Sequence, residues 1–218
     1  VKGAIMQIEA AIFDMDGLMI DSEPLQWQAV NATLAPYGLA LDEATWVQWV
    51  GRRASDSFAA LKATHPTLPD VAELLERKNA EYRQRIPLVP AMPGLQYAIE
   101  HCRAAGLKLA LASSSVRSDI NLVLTTLGLS GVFAVVVSGE DVVRSKPDPA
   151  IFLLAAERLA VLASRCLVFE DTNYGLTAAK AAGMYAIAVP GYFTQQQDFS
   201  QADRILSSLA DFDLGRLG

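Results

Sequence analysis

Several short apolar runs in this chain end on residues whose side chains could do chemistry together. Residues 10–13 lead into Asp14-Met-Asp16-Gly17, and residues 107–112 into Ser113-Ser114-Ser115. Residues 132–137 are followed by Lys146-Pro-Asp-Pro149, and residues 166–169 by Glu170-Asp171. If these ends converge, Asp14, Asp16, Glu170 and Asp171 form an acidic cluster. Like-charged carboxylates at ~4 Å repel by about 4 kcal/mol each at an effective dielectric near 20, so a hard divalent cation is needed among them. Magnesium fits a set of carboxylate and carbonyl oxygens and commonly bridges to a phosphate, whereas zinc prefers imidazole and thiolate. Lys146 then makes an anionic phosphoryl group tolerable in the same pocket. Ser113 stands at the entrance to a helix beginning near Val116, where free backbone N–H groups and the helix dipole also attract an anion.

The elements that must position these groups alternate. Apolar runs at 10–13, 107–112, 132–137, 166–169 and 185–189 read as buried strands. Helical patterns lie between them: 93–105 stopped by Gly106, 116–127 stopped by Gly128, 149–160 with Asp148 as N-cap, and 174–182 stopped by Gly183. The fold class is α/β, a doubly wound, mostly parallel sheet covered on both faces. In such sheets ligands bind beyond the carboxyl ends of the strands, where the polar residues above are found. One segment breaks the alternation. Residues 23–87 hold no strand pattern, only helical ones at 23–37, 42–50, 55–64 and 70–85, and the exit carries Pro87, Pro90 and Pro93, which favour an extended linker. We expect an all-helical cap domain at 23–87 inserted into a core domain formed by 1–22 and 88–218.

Bulk properties narrow the partners. With 218 residues, 52% of them apolar and 19% charged, the chain can bury a substantial core and shows no disorder-prone tract. A net charge of −6 disfavours a nucleic-acid footprint, which draws on clustered Lys and Arg. A small phosphorylated metabolite is the expected partner of a monomer or small homo-oligomer. Cys102 and Cys166 sit in apolar runs and read as core residues, with no disulfide framework or zinc site. Residues 1–11 lack a signal-like apolar region, and no stretch reaches the ~18 apolar residues of a membrane span, so no membrane partner and a cytoplasmic location are expected.

Taken in order, Phe13-Asp-Met-Asp-Gly-Leu-Met-Ile-Asp-Ser-Glu-Pro24, Leu111-Ala-Ser113, Ser145-Lys-Pro-Asp-Pro149 and Val168-Phe-Glu-Asp-Thr-Asn-Tyr-Gly175 resemble the successive motifs of the haloacid dehalogenase superfamily. The resemblance is to its phosphatase and phosphomutase branch with a helical cap. It covers essentially the whole chain and implies a magnesium-dependent phosphatase on a Rossmann-like core. Asp14 would attack phosphorus to give an aspartyl phosphate, and Asp16 would protonate the leaving alcohol and then deprotonate water. By the same resemblance magnesium is held by the Asp14 and Asp171 side chains and the Asp16 carbonyl, with Glu170 as a ligand or just behind. Ser113, Ser114 and Lys146 would hold the transferring phosphoryl oxygens.

Other residues admit plainer readings. Asp21, Ser22 and Glu23 are expected to start the linker and cap the next helix. His65 and His101 fall outside the strand ends and read as structural. Trp27, Trp46 and Trp49 read as cap packing first and pocket lining second. Arg52 and Lys78 are candidate substrate contacts, ahead of Arg53. The stretch Arg77-Lys-Asn-Ala-Glu-Tyr82 resembles β-phosphoglucomutase, which passes the phosphoryl group to a sugar hydroxyl. Gln26 and Ala54 stand where that enzyme has a histidine and an arginine, so hydrolysis is favoured. Dehalogenase chemistry is disfavoured by the acid at Asp16, and a phospho-accepting receiver by length and the insertion.

Overall fold

The computed structural model describes residues 7–217. Strands β1 (Ala10–Phe13), β2 (Lys108–Ala112), β3 (Val135–Val137), β4 (Cys166–Glu170), β5 (Tyr185–Ala188) and β6 (Arg204–Ile205) form one sheet in the order β3-β2-β1-β4-β5-β6. Every pairing is parallel. β1 is central because all of its residues, Ala-Ala-Ile-Phe, are apolar and can be buried on both faces. Its register places Phe13 beside Leu111 and Phe169, so the residues following β1, β2 and β4 emerge at one edge.

Helices α5 (Leu95–Ala104), α6 (Arg117–Thr126), α7 (Ala150–Leu159) and α8 (Asn173–Ala181) connect the strands. Alternate residues of each strand point to opposite faces and feed separate cores. Phe13, Leu111 and Phe169 meet Ile99, Ile120 and Phe212 on one side. Ile12, Ala110 and Val168 meet Phe152, Ala155 and Leu176 on the other. The sheet is therefore doubly wound, as expected.

Between β1 and β2 stand α1 (Glu23–Leu34), α2 (Glu43–Trp49), α3 (Ala54–Thr64) and α4 (Val71–Arg85), with 3-10 turns at Ala35–Tyr37 and Ile86–Leu88. Val30, Leu34, Trp46, Phe58 and Leu74 gather in a third, small apolar core. The two connecting segments run side by side: Asp21 N–H donates to Pro90 O at 3.0 Å, and Met92 N–H to Met19 O at 2.9 Å.

Three sequence expectations need correction, and one strand, β6, is not among the expected ones. The exit at 86–93 begins with a 3-10 turn, since Pro87 is pre-set for the start of a helical turn, and becomes extended from Val89. The 132–137 run shortens to Val135–Val137 because its first residues complete a turn, with Val132 N–H on Leu129 O, that seats Leu129 and Phe133 in the core. Asp148 is not the residue immediately before α7; Pro149 is, although Asp148 still accepts the Ala150 N–H at 3.0 Å and pairs with Arg144. β6 has no apolar run to announce it, being two residues held by β5 alone.

Candidate active site

The strand-end residues converge as their spacing demands. Lys146 Nζ lies 2.5 Å from Asp14 Oδ1 and 2.6 Å from Glu170 Oε1, and sits 4.8 Å above the Phe152 ring. Carboxylate oxygens of Asp14, Glu170 and Asp171 come within 4.8 Å of one another, all buried. Burial first, then Glu170, pushes Asp14 up to about 8 despite the opposing pull of Lys146. Asp171 is likewise raised, by burial and then by Glu170 and Asp14. Burial opposes charge on Lys146, but Asp14 and Glu170 outweigh it and hold the ammonium above its ordinary range.

Each carboxylate is locked differently. Glu170 Oε1 is taken by Lys146, and Oε2 accepts from both the backbone N–H and the hydroxyl of Thr172 at 2.9 Å. Thr172 also caps α8 by accepting the Gly175 N–H. Gly175 is required here, because a Cβ would fall 1.7 Å from Glu170 Oε1. Asp171 Oδ1, in contrast, is buried with no hydrogen-bond partner. Gly17, at φ +81°, leaves room for it, since a Cβ there would lie 2.1 Å from Asp171 Oδ2.

Asp16 is held from both sides of the cleft. Its Oδ2 accepts from Ser115 Oγ at 2.7 Å and from Ser113 Oγ at 3.4 Å, and its Oδ1 from Tyr82 Oη at 3.0 Å. Ser115 belongs to the expected Ser113-Ser114-Ser115 strand end, but its hydroxyl contact with Asp16 is not legible there. Tyr82 is not among the expected site residues; it sits 66 residues from Asp16 on α4, where only its place in the Arg77-to-Tyr82 stretch points to it. Ser113 and Ser114 both reach the cleft, and Ser114 is held from behind by Gly139, where a Cβ would strike its carbonyl.

A cavity of about 490 Å³ separates the strand ends from α1–α4. Arg52 and Lys78 both line it, as do Trp46 and Trp49, whereas Trp27 donates to Leu41 O and packs on Phe193. Lys78 is held below the ordinary lysine range by burial, against the pull of Asp16 and Glu23. Arg53 reaches across to Ser145 Oγ. The expected capping role of Ser22 and Glu23 does not hold: Ser22 makes no side-chain cap bond, and Glu23 turns into the cavity. Burial first, and Asp16 next, raises Glu23 to about 8. His65 packs back on its own helix end and His101 accepts from Leu214 N–H, so both are structural as expected.

The donor set suits a hard divalent cation. It is all oxygen and anionic, it includes an orphaned buried carboxylate oxygen, and Gly17 keeps side-chain atoms away from that carboxylate. With Lys146 beside it, the site can hold a phosphoryl group against a nucleophilic carboxylate.

Comparison with known proteins agrees with this arrangement. A family model described as haloacid dehalogenase-like hydrolase matches residues 11–189. Over 212 residues the chain is 37% identical to hexitol phosphatase B of Escherichia coli (strain K12), covering 94% of each chain. Over 182 residues it is 35% identical to the phosphorylated carbohydrates phosphatase of Thermotoga maritima, covering 83% of this chain and 84% of that one. The crystal structure of CbbY from Rhodobacter sphaeroides in complex with phosphate matches at a TM-score of 0.84 and 29% identity, over 94% of this chain and 96% of that one. The chain belongs to the haloacid dehalogenase-like hydrolases. Within them it is a phosphoric monoester hydrolase. Among the described residues no helix is long and apolar enough to cross a membrane.

Proposed function

We propose that the chain is a magnesium-dependent phosphatase of phosphorylated sugars or similar small phosphomonoesters, working through an aspartyl phosphate on Asp14. The observation that carries this reading is Lys146 bridging Asp14 and Glu170 beside the orphaned Asp171. Asp14 and Asp171, with the Asp16 carbonyl, would hold magnesium, and Glu170 would stand behind them, since both of its oxygens are already engaged. Bound magnesium would offset the clustered negative charge and draw density from the phosphoryl group.

Asp14 attacks phosphorus while Lys146, Ser113 and the Ser114 backbone hold the phosphoryl oxygens. Asp16, aimed by Tyr82 and Ser115, gives its proton to the departing oxygen and then takes one from the water that frees Asp14. Residues 23–87 act as a cap domain on the core of 1–22 and 88–218, with Arg52 and Lys78 contacting the leaving group. Two of the relatives are named for phosphorylated carbohydrates and hexitols, which supports the substrate class.

The test is Asp14→Asn, assayed by phosphate release from a panel of sugar phosphates with magnesium. The amide keeps the shape and removes the nucleophile, so turnover should fall by at least about 1000-fold while the fold persists. Retained turnover in the variant would end the proposed mechanism.

A further inference from the structure

Lys146 is held by more than its two carboxylates. An ammonium has three N–H groups, and three oxygens face this one: Asp14 Oδ1 at 2.5 Å, Glu170 Oε1 at 2.6 Å and, more distantly, Ala112 O at 3.4 Å. The side chain is only 8% exposed, so water adds little to its solvation. A further contact comes from Phe152, whose ring centroid lies 4.8 Å from Nζ. Phe152 is fully buried in the first turn of α7 and belongs to the apolar core that includes Ile12, Ala110 and Val168. Asp148 N–H donates to Ser145 O and Phe152 N–H to Pro149 O, both at 3.1 Å, and these turns bring the start of α7 back beside the lysine.

The ring differs from the oxygens in one respect. A carbonyl or hydroxyl beside the ammonium occupies an N–H, whereas the negative face of an aromatic ring attracts the whole cation and leaves its donors directed elsewhere. The reaction needs a donor to spare. A phosphoryl oxygen arriving at Asp14 is held by Lys146 only if an N–H turns to it, and the long contact to Ala112 O is the one most easily given up. We infer that Phe152 is a positioning residue for the reaction, its ring face holding the Lys146 ammonium in place while N–H groups pass from protein oxygens to the phosphoryl group. The inference rests on the phosphatase reading above and adds a residue that acts through Lys146. An aliphatic side chain of similar size would fill the same core but give the cation no such face.

The experiment replaces Phe152 by mono-, di- and trifluorinated phenylalanine, which nearly keep its shape while draining the negative face of the ring. With magnesium and p-nitrophenyl phosphate, kcat should fall stepwise with each fluorine, reaching about tenfold for the trifluoro ring, the order of a desolvated cation–π contact. The melting temperature should fall along the same series, and should stay level in the Lys146→Met background, where no cation faces the ring. A ring that only packs predicts neither trend, because fluorine adds apolar surface with little change of shape. Should Lys146→Met fail to fold, the series with Lys146 in place decides alone. A level or rising series, a trend that persists in Lys146→Met, or a falling melting temperature with kcat unchanged would each overturn the inference and leave the phosphatase reading intact. Failure of the unsubstituted protein to hydrolyse any phosphate ester would overturn that reading, and with it the catalytic part of this one, while the melting temperatures would still show whether the ring holds the ammonium.

Discussion

At the residue scale, Asp171 is the member of the buried carboxylate cluster with an unanswered oxygen. Its Oδ1 has no partner, and Asp14 and Glu170 crowd it in a buried site. Glu170 differs because Lys146 and Thr172 answer both of its oxygens. This contrast separates a carboxylate that awaits a cation from one that positions a lysine. Magnesium should therefore raise the melting temperature of the wild-type protein, with binding at 100 times Kd contributing about 2.7 kcal/mol. Asp171→Asn should melt higher than wild type without metal, since it removes a crowded charge, and should lose the magnesium-dependent rise. Thermal melts with and without magnesium, after EDTA treatment, check both effects. An undiminished rise in the variant would remove Asp171 from the metal site.

Elements deliver these residues through their ends. α8 starts at Asn173 under the Thr172 cap, and the same hydroxyl that accepts the Gly175 N–H donates to Glu170. One side chain thus ties a helix start to the far side of Lys146. Thr172→Val should lose the cap, about 1 kcal/mol, and should also lower kcat by loosening Glu170. Urea melts and steady-state rates together test this, since a stability loss with kcat unchanged would reduce Thr172 to a cap.

The turn Gly139–Asp141 braces the serine loop in a similar way, with Gly139 N–H on Ser115 O and Asp141 accepting from Ser138, Arg117 and Arg158. The Ser138 backbone amide above all, helped by its hydroxyl and Arg158, holds Asp141 well below the usual carboxylate range. A depressed acid contributes stability that is present above its unfolded pKa of about 3.9 and is lost as pH falls toward the folded value. Asp141→Asn should cost about 2 kcal/mol at pH 7, with the gap to wild type closing below pH 4. Urea unfolding at pH 7 and pH 3 gives the comparison, and a gap that does not depend on pH would contradict it.

The helices and the core meet, at the scale of the whole molecule, through polar and aromatic contacts around the cavity and through Ala29, Tyr82 and Ile86, which join the apolar core on one face of the sheet. Arg83 pairs with buried Asp119 at 2.7 Å, Tyr192 Oη donates to Glu43 at 2.9 Å, and Gly51 rests on Thr172 and Tyr174. The antiparallel segments at Asp21 and Met92, tied by backbone hydrogen bonds, would serve as the pivot. Arg83→Ala removes a half-exposed pair of about 1 kcal/mol, so closure should weaken and KM for a sugar phosphate should rise about fivefold. Steady-state kinetics read this directly; unchanged KM with a lower melting temperature would assign the pair to stability alone.

Local pattern was enough to read the alternating strands and helices, the helical run after β1, and the placement of Asp14, Asp16, Ser113, Lys146, Glu170 and Asp171 at strand ends. Strand burial and helix stops are written in neighbouring residues, and a parallel sheet sends every strand's carboxyl end to the same edge. The tertiary structure alone decided what meets across the cleft. Tyr82 reaches Asp16 from a helix 66 residues away, and Glu23 faces the cavity when its position before a helix suggested a cap. It also divided the carboxylates, satisfying Glu170 and leaving Asp171 without a partner. Those outcomes depend on how α1 and α4 pack over the sheet edge, which sets side-chain direction and burial, and no spacing along the chain encodes a contact between elements that only packing brings together.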